Sequence, residues 1–329
     1  MLAFILRRLL HMIPTMLVIS IIVFVMIQLP PGDFVDSLRA QLTEGTSATT
    51  ADREAFEQLR RQYRLDQPLY VQYFYWVSGF IRGDFGYSFE WRRPVGELIW
   101  ERLGLTMVLA VASMVCVYLF AIPVGVYSAR RPNTVGDHFF TSLAVLGLCV
   151  PNFILALGAM YVVVFWFGGD AGGLFSPEYR HAPWSLARFW DLLKHLPLPV
   201  LVIGATGAAG LVRIMRNSMM NVIKEQFITT ARAKGLPEGR VIYKYGLRVA
   251  INPLISIIGM QLPTLVSGSI IASIILSLPT TGPMFLRALQ SQDMYLAGTF
   301  MLFMSAMLLL GNLLADVLLA VSDPRIRLE

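Results

Sequence analysis

The stretch Ile228-Thr229-Thr230-Ala231-Arg232-Ala233-Lys234-Gly235-Leu236-Pro237-Glu238-Gly239-Arg240 is a charged island between two long apolar segments. Arg232 and Lys234 fall in the expected last turn of a short helix, where cations oppose the negative end of the dipole, and Gly235 suits the left-handed capping position. Pro237 predicts the start of a second helix, with Glu238 in its first turn. A helix, a corner and another helix make a compact projection, called the knob below, that can enter a groove on a partner.

The composition indicates a polytopic membrane protein. Of 329 residues, 56% are hydrophobic and only 15% are charged, which is too much apolar surface for one soluble core. The two cysteines, Cys116 and Cys149, lie in apolar runs, so we expect buried thiols and no disulfide framework.

Six segments are long and apolar enough to cross a hydrocarbon layer of roughly 30 Å as helices. The predicted spans are Leu9 to Leu29, Leu103 to Tyr127, Phe139 to Phe167, Leu196 to Met215, Ile251 to Leu278, and Leu296 to Val321. Their interior prolines, Pro14, Pro123, Pro151 and Pro263, are expected to be tolerated as kinks within a bundle. The sequence therefore predicts an all-α membrane fold with six transmembrane helices.

The distribution of basic residues predicts the orientation. The side that holds the N-terminus also holds Arg7 and Arg8, Arg130 and Arg131, eight basic residues from Arg213 to Arg248, and Arg325 and Arg327. Because the short loops there are almost purely cationic, the positive-inside rule places both termini in the cytoplasm. Anionic headgroups of the inner leaflet account for a pI near 9.4, so no nucleic-acid partner is needed.

The first apolar run has an alternative interpretation as a cleaved signal peptide, because Arg7 and Arg8 precede it. The run is too long for that, and no small-x-small site follows before Gln28-Leu29-Pro30-Pro31-Gly32-Asp33. We favour a retained anchor helix.

The longest segment outside the predicted membrane is residues 30–102, with eleven acids and nine arginines. Helical spacing over Asp52 to Tyr63 and over Pro68 to Phe80 predicts two helices, and the aromatic residues of the second favour the membrane interface. Those aromatics are Tyr70, Tyr73, Phe74, Tyr75 and Trp76. An ordered subdomain is expected here, either as a lid over the bundle or as a docking surface for a protein that delivers substrate.

Catalytic motifs are weak in this sequence. None of the lysines, Lys194, Lys224, Lys234 and Lys244, follows a glycine, so an ATP-binding phosphate loop is excluded. The histidines, His11, His138, His181 and His195, have no companion motif for a metal site and are interpreted as interfacial or surface residues. Gly268-Ser269 lacks the context of an intramembrane serine protease. We therefore expect no catalytic residue, no cofactor and no metal.

Asp316 is the only carboxylate that these segments place inside a helix, with Asn312 one turn before it. An ionisable group in a span is a functional candidate, for example as a proton relay. Its nearness to the inner end at Asp323-Pro324-Arg325 favours a structural pairing with an arginine or a helix terminus.

Several blocks in order resemble the permease subunits of bacterial ABC importers, most of all the B-type subunit of the dipeptide/oligopeptide and nickel permease family. The blocks are Arg7-Arg8-Leu9-Leu10, Pro31-Gly32-Asp33, Leu65-Asp66-Gln67-Pro68-Leu69-Tyr70-Val71-Gln72-Tyr73, Arg82-Gly83-Asp84-Phe85-Gly86-Tyr87-Ser88, Thr230-Ala231-Arg232-Ala233-Lys234-Gly235, and Asp323-Pro324-Arg325. They cover nearly the whole chain.

The resemblance implies a type I ABC importer fold in the bacterial inner membrane. It implies an anchor helix over 1–29, a periplasmic subdomain over 30–102, a permease domain over 103–322 with its coupling region at 224–245, and a cytoplasmic tail over 323–329. The implied partners are a second homologous permease, two ABC ATPases that hydrolyse ATP, and a periplasmic solute-binding protein.

The knob is then the site that the ATPases grip. The expected coupling residues are Phe227, Thr229, Thr230, Ala231, Arg232, Lys234, Gly235 and Glu238. Phe227, Ile228 and Ala231 are expected to form the apolar face that enters the motor's groove, with basic residues at the rim. The general importer motif begins with Glu-Ala-Ala. Here Thr229, Thr230 and Ala231 stand at those positions, so the leading acid is missing while the turn glycine remains. The alternative is a plain interfacial helix on anionic lipid.

The fifth span is rich in polar residues, and part of it is expected to face water on the translocation path. The candidates are Gln261, Thr264, Ser267 and Ser273, beside Ser269 and Ser277. Close helix packing at small residues is the competing explanation. Short peptides are the first expectation for the cargo, ahead of oligosaccharides and nickel. A proton-driven carrier that uses Asp316 is the alternative from a different class.

Overall fold

The structure is a computed structural model, and it describes residues 2–30, 32, 35, 36, 39, 50–62, 64–169, 172–180 and 182–322. Its helices are α1 (Leu2–Gln28), α2 (Thr50–Gln62), α3 (Leu69–Ile81), α4 (Val95–Arg130), α5 (Val135–Cys149), α6 (Asn152–Phe167), α7 (Leu186–His195), α8 (Pro197–Val222), α9 (Gln226–Ala233), α10 (Glu238–Arg240), α11 (Leu247–Ala250), α12 (Asn252–Gly268), α13 (Ile270–Ile275), α14 (Thr281–Gln290) and α15 (Met294–Ser322). A π-helical turn, Val241–Gly246, joins α10 to α11. The strands β1 (Tyr87–Ser88) and β2 (Arg93–Pro94) pair antiparallel.

The predicted class, an all-α polytopic membrane protein, is confirmed. Among the described residues, the helices α1, α4, α8 and α15 are each long and apolar enough to cross a membrane, and two bent helix pairs bring the number of candidate spans to as many as six. Some predicted features, namely Tyr63, His181, Pro31, Asp33 and the tail 323–329 with its Asp323-Pro324-Arg325 block, lie outside the described residues.

The third predicted span is not one continuous helix. Its two halves, α5 and α6, meet at an angle of 106° across Val150 and Pro151. Pro151 has no backbone N–H and crowds the residue before it out of the helical region, and Val150 is extended with φ −87° and ψ 119°. The prediction of a tolerated kink at Pro151 was therefore wrong. Pro14, Pro123 and Pro263 stay inside helices, as predicted.

The fifth predicted span begins earlier than expected. It runs from Glu238 in the knob through the π-helical turn and α11 to α12, with a bend of 46° at Ile251. Pro253, in the first turn of α12, accounts for that bend because it cannot donate a hydrogen bond back to the preceding turn. The second helix of the knob, α10, is thus the first part of this span, and no loop separates α10 from the rest of the span.

The chain divides into two compact units, and α1, α4 and α15 contribute to both. Of the described residues, the first unit comprises those within Leu105–Thr280, those from Met307 on, and those up to Ile5. Its core is a cluster from α4, α8, α9, the π-helical turn and α12 that includes Val117, Met215, Met219, Ile228 and Leu254.

Glycines let the helices of the first unit approach each other closely. A Cβ on Gly259 of α12 would lie 2.5 Å from the backbone nitrogen of Asn312 in α15, and one on Gly311 would lie 2.7 Å from the carbonyl oxygen of Gly259. Backbone therefore touches backbone at this crossing, as in small-residue contacts between membrane helices.

In the second unit, which comprises Leu6–Gly104 and Thr281–Ala306, α3 packs through Trp76 on Phe24 of α1. The expected helices of the 30–102 segment are present as α2 and α3, each within two residues of the predicted bounds. The exposed side of α3 carries Tyr70 and Phe74, which suits the predicted interfacial position.

The Gly259 crossing yields a test with a matched control. We expect Gly259→Ala to lower the stability of the detergent-solubilised chain by about 1–3 kcal/mol, because the added carbon overpacks against backbone atoms that have nowhere to move. Gly158→Ala, in a helix position with open space around it, should be neutral or slightly stabilising because alanine favours helix. Thermal unfolding followed by size-exclusion fluorescence measures both variants. Equal melting temperatures for the two would contradict the close crossing.

Candidate functional site

The knob consists of α9, a corner and α10, as the sequence predicts. α9 ends at Ala233, Lys234 follows at its C-cap, and Gly235 has the left-handed φ of +74°. Pro237 is extended and starts α10, with Glu238 in its first turn. The turn Ile223-Lys224-Glu225 alone separates α9 from α8, so the knob follows directly on a membrane-spanning helix.

The buried side of the knob corrects part of the prediction. Ile228 is fully buried and Ala231 is 6% exposed, and both belong to the core of their own unit. They pack with Met219 of α8 and with Val241 and Ile242 of the π-helical turn. Ile228 and Ala231 therefore seat the knob on its own chain, so they cannot be the face that enters a partner's groove.

The outer side of the knob carries the other predicted coupling residues. The exposed ones are Phe227, Thr229, Thr230, Arg232, Lys234, Gly235 and Glu238. Phe227 is 40% exposed and is the large apolar group of this surface. Thr230 uses its hydroxyl within α9, donating to the carbonyl oxygen of Gln226, whereas Thr229 points outward.

An ion pair spans the corner of the knob. The guanidinium of Arg232 donates from Nε to Glu238 Oε2 at 3.1 Å and from its terminal nitrogen to Oε1 at 2.7 Å. The hydrogen bonds to Glu238 raise the pKa of Arg232 above its already high value. Both side chains remain substantially exposed, so the pair contributes at most about 1 kcal/mol and mainly sets the angle of the corner. Arg232 and Glu238 were both identified from the sequence, but the contact between them was not predicted.

Further hydrogen bonds hold the helices that flank the knob. Ser218 of α8 donates to the carbonyl oxygen of Ala250 at 2.8 Å, and Tyr118 of α4 donates to that of Leu254 at 2.8 Å. Arg248 of α11 donates to the carbonyl oxygen of Ser322 at 3.2 Å. Each bond joins the span that follows the knob to another helix of the same unit.

A buried ion pair, absent from the sequence prediction, fixes α8 before the knob. Arg216 binds Asp137 of α5 with two hydrogen bonds of 2.8 and 2.7 Å, and the side chain of Asp137 is only 2% exposed. The backbone N–H of Asn133 donates to the same carboxylate, and Thr134 caps α5. Asp316 is therefore not the only carboxylate inside a helix. The Thr134–Asp137 spacing signals a helix start, but only the fold shows that Arg216 reaches it.

Removing one partner of this pair should be more harmful than removing both. We expect Arg216→Met to destabilise the chain by about 3–5 kcal/mol, because it leaves the buried Asp137 carboxylate uncompensated. Asp137→Leu with Arg216→Met should recover a large part of that loss. Melting temperatures of the two single variants and the double variant form a cycle. Strict additivity in the cycle would contradict a coupled pair.

The predicted path residues do not share one surface. Thr264 and Ser267 lie on the exposed face of α12, on the same side as Ser256. Gln261 is half-buried, and its amide oxygen accepts no hydrogen bond from the described residues. Ser273 is fully buried, because the helix breaks at Ser269 and restarts as α13 with a shifted register. Ser273 therefore does not share the exposed face of Thr264 and Ser267, and its place on the translocation path stays a prediction.

The remaining histidine, cysteine and acidic side chains are spread over the described residues. Within the described residues, no three histidine, cysteine, aspartate or glutamate side chains come together in a way that could hold a metal ion. Cys116 and Cys149 are free thiols; Cys149 is exposed, contrary to the expectation that both are buried. Asp316 is half-buried in α15.

Asp293 organises the second unit, and the sequence analysis missed it. Its carboxylate accepts hydrogen bonds from the Ser88 hydroxyl at 2.5 Å and from the backbone N–H groups of Glu90 and Leu296 at 3.2 Å. It therefore caps α15 and anchors the β1–β2 hairpin. Burial raises the pKa of Asp293, and these hydrogen bonds offset part of that rise. An acid before a long apolar run is the only sequence signal for it.

The described residues form a multi-pass membrane protein whose knob presents a largely polar outer surface between two candidate spans. Comparison with known proteins makes the class specific. Residues 121–328 match the family model described as binding-protein-dependent transport system inner membrane component, and residues 1–110 match the model for the N-terminal part of such components. The chain belongs to this family of ABC transporter permeases, whose members are non-catalytic membrane subunits.

Relatives with names of peptide transport match nearly the whole chain. The chain is similar to the oligopeptide transport system permease protein AppB of Bacillus subtilis (strain 168), with 35% identity over 330 residues and 99% of each chain covered. It is equally similar to the glutathione transport system permease protein GsiC of Escherichia coli (strain K12), with 35% identity over 327 residues and 99% of each chain covered.

Proposed function

We propose that this chain is the B-type permease subunit of an ATP-driven importer of short peptides, and that its knob is the contact for the ATPase partners. The observation that carries the proposal is the knob itself. Its inner side is fixed in the core by Ile228 and Ala231, while Phe227, Thr229 and Lys234 are presented outward between two spanning helices. A motion imposed on such a surface is delivered to both helices.

Membership of the permease family of ABC transporters supports the proposed partners. The described residues of one chain supply at most six candidate spans, and a passage for solute requires a second, homologous permease beside it. Two ATPases supply the energy, and a binding protein delivers the solute from outside. The basic residues around the knob, such as Arg130 and Lys224, support a cytoplasmic position for it in the bacterial inner membrane, with both termini on the same side. Residues 30–102 are then periplasmic.

The solute path is proposed for the exposed face of α12. Thr264 and Ser267 are hydroxyl residues on the exposed face of α12, and Gln261 adds an amide whose oxygen has no hydrogen-bond partner among the described residues. Such a face suits polar peptide groups, which need hydrogen-bonding partners during passage. Alternation between outward and inward access would follow from rocking of the helices attached to the knob.

Short peptides are the proposed cargo because both relatives carry names of peptide transport, one for oligopeptides and one for the tripeptide glutathione. Oligosaccharides remain the second candidate for the same machinery. Nickel is disfavoured by the scarcity of histidine and cysteine in the spans. The carrier mechanism through Asp316 is not proposed further, because the chain belongs to the permease family of ABC transporters.

The contact at the knob is tested by a charge on its outer side. We expect Thr229→Arg to abolish co-purification of the ATPases and to reduce peptide uptake, because an unmatched cation in a protein interface costs about 2 kcal/mol or more. The stability of the chain should change little, since Thr229 is exposed. Membrane abundance is measured in parallel.

Val135→Arg is the matched control, with the same added charge on an exposed residue of the same predicted side. It should leave ATPase association and uptake near wild type. If Thr229→Arg retains both, the knob is not the contact.

The cargo is tested in proteoliposomes that contain this chain and the proposed sister permease, ATPases and binding protein. We expect ATP-dependent uptake of a labelled tripeptide that unlabelled di- and tripeptides compete away and maltotriose does not. Competition by the sugar alone would reassign the cargo. Uptake driven by a proton gradient with this chain alone would overturn the importer assignment.

A further inference from the structure

A charged cavity of about 440 Å³ lies beneath the knob, in the first unit. Its lining residues are Ala129, Arg130, Pro132, Met220, Ile223, Lys224, Arg232, Glu238 and Ile242. It is thus formed by the end of α4, the end of α8 and the knob. Nothing in the proposed function accounts for a cavity at this place.

The cavity has an excess of positive charge. Three cations and one carboxylate line it, and the carboxylate, Glu238, is already held by two hydrogen bonds from Arg232. Arg130 is close enough for its charge to act on Glu238, but in the described parts of the chain neither the guanidinium of Arg130 nor the ammonium of Lys224 makes a hydrogen bond or an ion pair. Two exposed cations at the mouth therefore have unused hydrogen-bond donors.

The depth of the cavity is set by the helices that end beside it. α4 ends at Arg130 and α8 at Val222, and both are membrane-spanning by length and composition. A site where two spanning helices leave the hydrocarbon lies at the level of the lipid phosphates. The floor is apolar, with Ala129 and Ile242 buried and Met220 and Ile223 partly buried.

We propose that this cavity binds the phosphate of an anionic phospholipid, with Arg130 and Lys224 as its ligands. The cations recognise the phosphate, and the apolar floor accommodates the glycerol and the first methylenes, which a free phosphate does not have. The bound lipid would join the ends of α4 and α8 to the knob. The assignment of the lipid to the inner leaflet rests on the orientation given under the proposed function. The binding of the lipid itself does not depend on that orientation.

Opposition to the helix dipoles is a competing role for these cations, because Arg130 lies in the last turn of α4 and Lys224 just past α8. That role needs a cation at each helix end but no cavity between them. It also predicts loss of stability, without any change in lipid preference, when the charges are removed.

The experiment uses the full chain alone in a neutral detergent, without ATPases, so that its outcome is independent of the knob contact tested above. Native mass spectrometry follows the titration with phosphatidylglycerol and, separately, with phosphatidylcholine. We expect phosphatidylglycerol to be preferred, and Arg130→Gln with Lys224→Gln to weaken its binding about tenfold or more, from the attraction typical of two basic residues.

Arg240→Gln with Lys244→Gln is the matched control, because it removes one exposed arginine and one exposed lysine that do not line the cavity. We expect it to weaken binding less than threefold. Lys224→Gln alone provides the same test with little risk to folding, since it changes one exposed side chain, and Arg130→Lys should keep most of the binding.

Three results would overturn the inference. They are equal binding of the two lipids by the wild type, equal losses in the two double variants, and displacement of phosphatidylglycerol by inorganic phosphate at comparable concentration. The last result would assign the cavity to a soluble anion instead of a lipid.

Discussion

Burial of Ile228 and Ala231 in the core of the first unit is the contact on which the candidate site depends. α9 is only eight residues long, too short to be stable in water on its own, so its helical form comes from this packing. The same contact decides which residues are available to a partner. Two apolar residues face inward, and Phe227, Thr229 and the charged residues of the corner are left outside. The outer surface is therefore more polar than a docking helix with a wholly apolar face.

Two kinds of constraint hold the helices that carry this contact. One is steric, because Gly259 and Gly311 bring α12 and α15 into backbone contact. The other is electrostatic, because the buried pair of Asp137 and Arg216 fixes α8 against α5. A single substitution by a hydrophobic residue cannot replace either constraint. A larger residue at Gly259 collides with the backbone of α15, and loss of Arg216 leaves the charge of Asp137 buried without a partner.

The sequence was most informative where local rules dominate. Gly235 and Pro237 specify the corner of the knob through backbone preferences alone, and the structure has both as predicted. Hydropathy alone located the spans that are single helices, α1, α4, α8 and α15. What could not be predicted depends on contacts between distant residues. The direction in which Ala231 points depends on the neighbours of α9, and the contact between Asp137 and Arg216 joins residues 79 positions apart. Pro151 shows a limit of a different kind, because a proline between two helices kinks or breaks them according to the packing around it.

The continuity of helix beyond the knob has a mechanical consequence. From Glu238 to Gly268 every residue of the described chain is helical except Ile251, including the six residues of the π-helical turn. Because this segment contains no loop, it cannot absorb a displacement of the corner of the knob by bending at a flexible linker. The displacement must appear either as a tilt of the whole helical segment or as a change of angle at Ile251. Ile251 is therefore the hinge of this segment.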